Sequence, residues 1–575
     1  MKPVVPLALA LATLTWAQSS THPELQVSKT HSTHPAEKQL STKEELWCPI
    51  LESALSSAPV AEPPMRSYLL ETIAGGLSKC GLKKVRTVLS DSFTTTLAIP
   101  ENEEEISLRA HRFLSEGSRP DDATIEAIWN LETKRTLQEA ALNALLTVDE
   151  SKVESLLSQA EREVRATLLK YMVFRATSAK KFDRALEILK HEPSKKDFPY
   201  GEATQLMLEL PPERDTDKQE MFRLAMASDH ERPSMVNGDD DFASMIVRFW
   251  QHIPPALALA AIHQVLDAAE HLDGTGVTLN AASGNPGFAA QYDYRVFELL
   301  PVLRQLDDDE ADKILEDSPQ AKFQLKQFPN GIQSVNPTIG DSLPKESDPG
   351  VGLEGSSTAP NAMHQVLQRN NARVKEIGRA AEDNLRQATA AADTLPDSVG
   401  NYWRAEFPRA QAYLAIARTA MKKKNPSAAR DALGEMAASL KHVGYSYHAV
   451  EYWLEGMAIA REIDDVDLAV NLFRSGMEQA DKIRSEDADT DDPNLALKAW
   501  WPSVSAYWRL VQAASQFSPS AALERVREIT DPEILLLLEV RLANDGLGAR
   551  PEESITMVHK KSSHLSWSEF RLPEK

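Results

Sequence analysis

Apolar residues recur along most of this chain at steps of three and four, the spacing that places side chains on one face of an α-helix. In one stretch they are Trp403, Phe407, Ala410, Leu414, Ala417 and Met421, and after a polar turn they are Ala429, Leu433, Met436 and Leu440. Continuous runs of Val, Ile and Thr, which are typical of strands, are nearly absent. The pattern predicts an all-α protein built from antiparallel helical hairpins.

Further hairpins of related design follow in the sequence. Their short polar turns lie at 178–181, at 464–465 and at 518–520. Short turns force consecutive helices to lie side by side. Because one hairpin cannot bury its apolar face alone, we expect the hairpins to stack as an α-solenoid or a bundle-like pile.

A stretch rich in proline and glycine, residues 329–360, interrupts the helical pattern. This composition is typical of a linker. We therefore predict two helical lobes, an N-terminal domain over 44–328 and a C-terminal repeat domain over 361–545, followed by a tail over 546–575. The Gly-rich stretch 273–288 is long for a loop in a helical domain, and long loops often carry a function.

The first residues follow a different pattern. Lys2 precedes a short apolar run that closes on the small residue Ala17, and a polar stretch follows. This arrangement is typical of a secretory signal peptide, and the run is shorter than the ~20 residues that a membrane span needs. We expect a signal peptide over 1–17, a disordered leader over 18–43, and export to the periplasm or the cell exterior.

The net charge of the chain disfavours one class of partner. The 575 residues contain 85 acidic and 63 basic side chains, and the formal net charge is −22. An acidic surface repels phosphate backbones, so we expect no nucleic-acid partner.

The chain contains two cysteines, Cys48 and Cys80. In an oxidising compartment two thiols usually pair, and this pair would close a loop of about 30 residues, worth roughly 3 kcal/mol in the chain-entropy model. We predict a structural disulfide; the alternative is a reactive thiol or a metal ligand.

Two segments, residues 182–189 and 467–473, resemble the second helix of a tetratricopeptide-type repeat, because a small residue is followed by a large one at the family's spacing. Trp453 occupies the position of the large residue in a first helix, but Gly456 lies one position early for the family's glycine. The turn-following positions 429, 469 and 522 lie 40 and 53 residues apart, against ~34 in the family. The resemblance covers about a third of the chain and implies a concave surface that binds proteins or peptides, without catalysis.

Common catalytic signatures are missing from the sequence: we find no His-Glu-x-x-His, Gly-x-Ser-x-Gly or Cys-x-x-Cys, and no Gly-rich phosphate or dinucleotide motif. We expect no cofactor. A possible metal site consists of His263, Asp267, Glu270 and His271, which fall near one face of a helix. The opposite face of that helix is apolar, so we favour a solvent-exposed polar face and predict no metal.

Residues 487–492 match the start of a calcium loop. Such a loop needs Gly at its sixth position and Glu at its twelfth, where this chain has Asp492 and Lys498. We therefore expect a solvated connection between helices.

Aromatic residues concentrate in the second half, and stacked hairpins could present some of them in a groove for a partner. Trp403, Trp453 and Trp508 lie on apolar stripes and are expected in the core. Adjacent residues point about 100° apart on a helix, so Trp500 and Trp501 cannot both lie at the centre of one stripe. The candidate partner-binding residues are Trp500, Trp501, Tyr402, Tyr447 and Tyr452.

Two functions fit these observations. We favour an exported, non-enzymatic scaffold that binds a protein or peptide in the cell envelope, with an unknown oligomeric state. The alternative is a helical hydrolase or lyase that acts on a polysaccharide near the loop 273–295, with Asp293, Arg295 and His271 as its reacting groups. An enzyme should place convergent carboxylates in a cleft beside that loop, whereas a scaffold should expose a shallow groove.

Overall fold

The computed structural model describes residues 42–81, 84–100, 105–106, 108–109, 121–190, 198–231, 241–271, 277–278, 286–335, 362–400, 405–444, 446–488 and 497–549. Within these ranges the chain forms twenty-four α-helices, a few short 3-10 turns and one small β-hairpin. The predicted all-α class is therefore confirmed. The predicted signal peptide, and all of the leader up to Ser41, lie outside the described residues.

The helices before the linker are α1 Thr42–Ser57, α2 Pro63–Leu77, α3 Val85–Thr96, α4 Asp122–Leu146, α5 Glu150–Leu157, α6 Arg162–Ser178, α7 Phe182–Lys190, α8 Tyr200–Glu209, α9 Asp215–Glu231, α10 Phe242–Phe249, α11 Pro255–Glu270, α12 Gln291–Leu306, α13 Asp308–Glu316, α14 Pro319–Gln327 and α15 Ile332–Val335. Strands β1 Val277–Thr278 and β2 Gly287–Phe288 pair antiparallel within the Gly-rich stretch.

The helices after the linker are α16 Ala362–Asp383, α17 Leu385–Ala392, α18 Pro408–Lys422, α19 Pro426–Lys441, α20 Ala449–Glu462, α21 Val466–Ala488, α22 Pro502–Ser515, α23 Pro519–Arg527 and α24 Pro532–Leu547. Short-range signals start many of the described helices. Eight begin after an Asp or Asn whose side chain accepts a hydrogen bond from a backbone N–H of the first turn: Asp121, Asp149, Asp241, Asp307, Asn384, Asn425, Asp465 and Asp531.

The hairpin turns use one recurring geometry. Lys180, Lys424 and Asp464 each adopt a positive φ of 54–58° and lie two positions after the last residue of a helix. In each turn the next residue donates its N–H to the carbonyl of an alanine five positions earlier, for example Lys181 to Ala176 at 2.9 Å. This bond belongs to the Schellman motif, which ends a helix and reverses the chain. The turn predicted at 178–181 is therefore present between α6 and α7.

Packing divides the helices into two layers. Neighbouring even-numbered helices contact one another in the order α2, α4, α6, α8, α10, α12 and α14, and again in the order α16, α18, α20, α22 and α24. Each also packs on the odd-numbered helices that precede or follow it in the chain, as in α6 with α7 or α18 with α19. This arrangement is the stack of helical hairpins that the apolar periodicity predicted.

The two series meet at a seam between the beginning and the end of the described chain, where α24 packs on α1 and α2. From Thr42 onward the helices form one compact unit. Contacts between even-numbered helices therefore run from α2 to α14. They continue from α16 to α24, and α24 contacts α2. The boundaries of the two predicted lobes remain a prediction, since residues 336–361 and 550–575 lie outside the described residues.

Close packing and buried hydrogen bonds hold this seam. Arg541 Nη2 donates to Tyr68 Oη at 2.9 Å, and Asn544 Nδ2 donates to the Thr72 carbonyl at 2.8 Å. Gly546 lies against the indole of Trp47 so closely that a Cβ there would overlap Trp47 Nε1. Beside the seam, Cys48 of α1 and Cys80 form a disulfide with a Cα–Cα distance of 5.9 Å.

Close packing at the seam predicts that a glycine-to-alanine substitution changes the unfolding free energy in opposite directions at two helical positions. Gly546→Ala should lower the unfolding free energy by roughly 1–3 kcal/mol, because the new methyl overlaps Trp47. Gly434→Ala in α19 meets nothing within 4 Å and should raise it by about 0.5–1 kcal/mol through helix propensity. Thermal and urea unfolding would measure both. Equal effects of the two substitutions would contradict close packing at the seam.

A buried carboxyl group in α2 makes stability depend on pH. Glu71 is 5% exposed, and its Oε2 has no hydrogen-bond partner among the described residues. Burial raises the pKa of Glu71 from 4.5 to about 8. The folded chain therefore keeps this proton at neutral pH, whereas the unfolded chain has already lost it.

Consequently, Glu71 should make the wild-type chain less stable as the pH rises from 4.5 to 8, by up to about 1.4 kcal/mol per pH unit, and should add no further slope above that window. Glu71→Gln cannot ionise, so its melting temperature should exceed that of the wild type by a margin that grows across the window. Calorimetric melting between pH 5 and pH 9 would test this, with the exposed Glu52→Gln as control. Parallel curves for wild type and Glu71→Gln would contradict the prediction.

Candidate functional site

Four of the five predicted partner-binding residues lie within the described chain, close to the starts of α20 and α22. Tyr447, Tyr452, Trp500 and Trp501 are all half-buried, while Tyr402 lies outside the described residues. Trp508 of α22, which was expected in the core, is half-buried as well, whereas Trp453 is 1% exposed. We call Tyr447, Tyr452, Trp501 and Trp508 the aromatic face.

The pair Trp500 and Trp501 differs from the helical arrangement that its spacing suggested. Trp500 ends a short 3-10 turn, Lys498–Trp500, and Trp501 is extended, with φ −60° and ψ 137°. Pro502 begins α22, and a residue before proline is disfavoured in helical conformation. Both rings lie at a bend before α22, and both are half-buried there.

Hydrogen bonds across helices position the aromatic face. Tyr447 Oη and Ser505 Oγ lie 3.1 Å apart and join the start of α20 to α22. The ring of Tyr452 meets Phe407 edge to face, with centroids 5.6 Å apart, and so reaches the start of α18. Burial raises the pKa of Tyr452, so its hydroxyl stays neutral well above neutral pH.

Charged side chains bridge the same helices beside the rings. Arg509 of α22 forms a two-pronged ion pair with Glu451 of α20, with Nη2 2.8 Å from Oε2, and this bonding lowers the pKa of Glu451. Glu455 pairs with Arg418 of α18. Exposed pairs of this kind contribute at most about 1 kcal/mol each. The two pairs connect α18, α20 and α22.

A further contact fixes Trp501 against the last helix. Lys498 Nζ lies 5.9 Å from the centre of the Trp501 ring, a cation–π distance. The same ammonium group lies 2.8 Å from Asp531 Oδ2 and 2.7 Å from Glu533 Oε2. The aromatic face is thus attached to the start of α24, next to the seam.

The structure also reveals a repeat signal that the apolar periodicity missed. Pro-x-x-x-Ala-Tyr occurs at 408–413 and at 502–507, and Pro-Ser-Ala-Ala occurs at 426–429 and at 519–522. Tyr413 and Tyr507 are buried, and their hydroxyls donate to Asp393 and Asp481 respectively. In three hairpins an aromatic residue precedes the first helix: Phe407 precedes α18, Tyr447 precedes α20 and Trp501 precedes α22. A search of the sequence for identical short motifs would have found these repeated segments.

The residues of the enzymatic alternative do not converge among the described residues. Arg295 is 3% exposed in α12, and its Nη1 lies 2.8 Å from Asp241 Oδ2 and 2.6 Å from Glu298 Oε2, both of which are also buried. Asp293 accepts a hydrogen bond from Ser318 Oγ at 2.7 Å. His271 is exposed at the end of α11. Arg295 therefore neutralises interior carboxylates, which is a structural role.

Neither candidate ion site is assembled in the part of the chain that the structure describes. There, no group of His, Cys, Asp and Glu side chains could hold a metal ion. His263 Nε2 faces Glu310 Oε1 of α13 at 2.9 Å. Asp487, expected in a solvated loop, is buried and accepts the N–H of Ser503 at 2.8 Å, and burial raises its pKa. Residues 489–496 lie outside the described chain.

Among the described helices, none has the length and apolarity to cross a membrane. No protein-family model matches the sequence, and no curated protein matches it either. One solved structure, titled “Circular tandem repeat protein with novel repeat topology and enhanced subunit contact surfaces”, is 12% identical, and the match covers 92% of this chain and 98% of that chain. The TM-score of this match is 0.14, too low to carry an argument about fold or function.

The two interpretations of Arg295 predict different mutant behaviour. Arg295→Met should cost about 3–5 kcal/mol of stability, because it leaves the carboxylates of Asp241 and Glu298 buried without their cation. Arg304→Met on the same helix removes an arginine that is 40% exposed and should change stability by less than about 0.5 kcal/mol. Urea unfolding would compare them. A stable Arg295→Met variant would contradict the structural role.

Proposed function

We propose that this chain is an exported, non-enzymatic scaffold whose aromatic face binds a protein or peptide partner in the cell envelope. One observation carries the proposal: Tyr447, Tyr452, Trp501 and Trp508 lie half-buried on neighbouring even-numbered helices. Stacked helical hairpins offer extended surfaces for recognition.

The energetics of binding support this assignment. Tyr and Trp are the residue types that contribute most to protein interfaces, because a partner can cover the remaining ring surface at little cost in side-chain entropy. Here the rings are already held by Ser505, Phe407 and Lys498. A partner would therefore meet a preorganised surface, which lowers the cost of association.

Two features of the sequence support export. The first seventeen residues have the charged start, apolar run and small closing residue of a signal peptide. The Cys48–Cys80 disulfide fits an oxidising compartment. N-terminal sequencing of the chain from envelope fractions should therefore begin at Gln18.

The test of binding starts from peptides selected from a random phage-displayed library on immobilised chain 18–575. Their affinity, measured by fluorescence anisotropy, should fall about tenfold or more on Trp501→Ala, because an anchor ring is removed from the interface. The matched control is Phe323→Ala in α14. It removes a ring that is 67% exposed and that does not belong to the aromatic face.

Circular dichroism should show unchanged helicity in both variants. Selected peptides that bind wild type and Trp501→Ala equally well would refute the aromatic face as the binding surface. Recovery of the intact first seventeen residues from cells would refute the export part separately.

A further inference from the structure

A cavity of about 390 Å³ is lined by residues of α4, α5, α6 and α7 and of the turn between α6 and α7, none of which belongs to the aromatic face. Part of its lining is apolar and belongs to the core: Leu146, Met172 and Ala176 are each at most 7% exposed. Small-molecule sites in proteins typically enclose about 300–1,000 Å³ and combine an apolar lining with a few polar groups. The cavity has the size of such a site, and four of the eight residues that line it are charged.

The polar lining of the cavity is mainly basic. It consists of Arg175, Lys181 and Arg184, with Glu150 as the single carboxylate. Arg184 is fixed by its own partners: Nε lies 3.0 Å from Glu150 Oε1, Nη1 lies 2.8 Å from Glu187 Oε2, and Nη2 pairs with Glu154. Its charge is therefore compensated, and it acts as a rigid part of the wall.

The other two cations, Arg175 and Lys181, are solvent-exposed and have no direct carboxylate partner among the described residues. Arg175 Nη1 donates to the carbonyl of Leu146 at 3.2 Å, which orients the guanidinium group but leaves its charge. These two cations and the apolar residues beside them line the same cavity.

We propose that this cavity binds a small organic anion that joins a carboxylate or phosphate head to a short apolar body. The head would meet Arg175 and Lys181 at the exposed edge of the cavity, where the arginine can donate two parallel charge-assisted bonds. The apolar body would occupy the cavity beside Leu146, Met172 and Ala176, whose own side chains are already almost fully buried. Both parts of the ligand are needed, because each matches a different part of the lining.

Isothermal titration calorimetry on chain 18–575 would test this with hexanoate and hexyl phosphate as probes, and their relative affinities identify the preferred head group. Acetate lacks the apolar body and 1-hexanol lacks the charge, so each should bind about tenfold more weakly or worse. Arg175→Gln should weaken the better probe by about tenfold, the loss expected for one charge-assisted hydrogen bond.

The matched control is Arg165→Gln, which removes an arginine from the same helix outside the cavity and should leave the affinity unchanged. Ala179→Phe places a ring at the lining of the cavity and should abolish binding. If Arg175→Gln does not fold, Lys181→Gln is measured in its place. Absence of binding by both anionic probes, or equal binding by Arg175→Gln and Arg165→Gln, would overturn the proposal. The aromatic face is untouched by these variants, so this outcome is independent of the peptide test.

Discussion

The packing of α24 on α1 and α2 is the interaction on which the rest of the architecture depends. It joins residues as far apart in sequence as Tyr68 and Arg541, and through them it joins the series α2–α14 to the series α16–α24. The entropy of closing a loop grows only with the logarithm of its length, so a contact between the two ends is affordable if its packing is good. Gly546 against Trp47 shows how close that packing is.

The two-layer stack also determines where binding can occur. Within each series, an even-numbered helix contacts its even-numbered neighbours and at least one odd-numbered helix. Both proposed sites involve such helices: the aromatic face lies on α20 and α22, and the cavity is lined in part by α4 and α6. Recognition would then use surfaces that the packing leaves open, as is common in solenoid proteins.

Polar residues that suggested chemistry mostly serve the interior. Arg295 compensates two buried carboxylates, and Asp487 accepts a backbone N–H at the start of α22. Two tyrosines that the sequence had not singled out, Tyr413 and Tyr507, likewise donate to Asp393 and Asp481. Burying polar groups is costly unless they find partners, so such pairs favour one arrangement of neighbouring hairpins over others. Residue type alone does not separate this role from catalysis, because both use the same side chains.

Local patterns in the sequence determined the helices, the hairpin turns and the solenoid-like class, since apolar periodicity, helix caps and turn residues act over a few positions. They also singled out Tyr402, Tyr447, Tyr452, Trp500 and Trp501 as candidate binding residues, and the structure places the four that it describes near two helix starts. The tertiary structure alone decided that α24 returns to α1 and α2, that Arg295 is enclosed, and that Arg175 and Lys181 line one cavity. These outcomes depend on contacts between helices distant in the chain, and the periodicity of each helix indicates which face is buried but not which helix buries it.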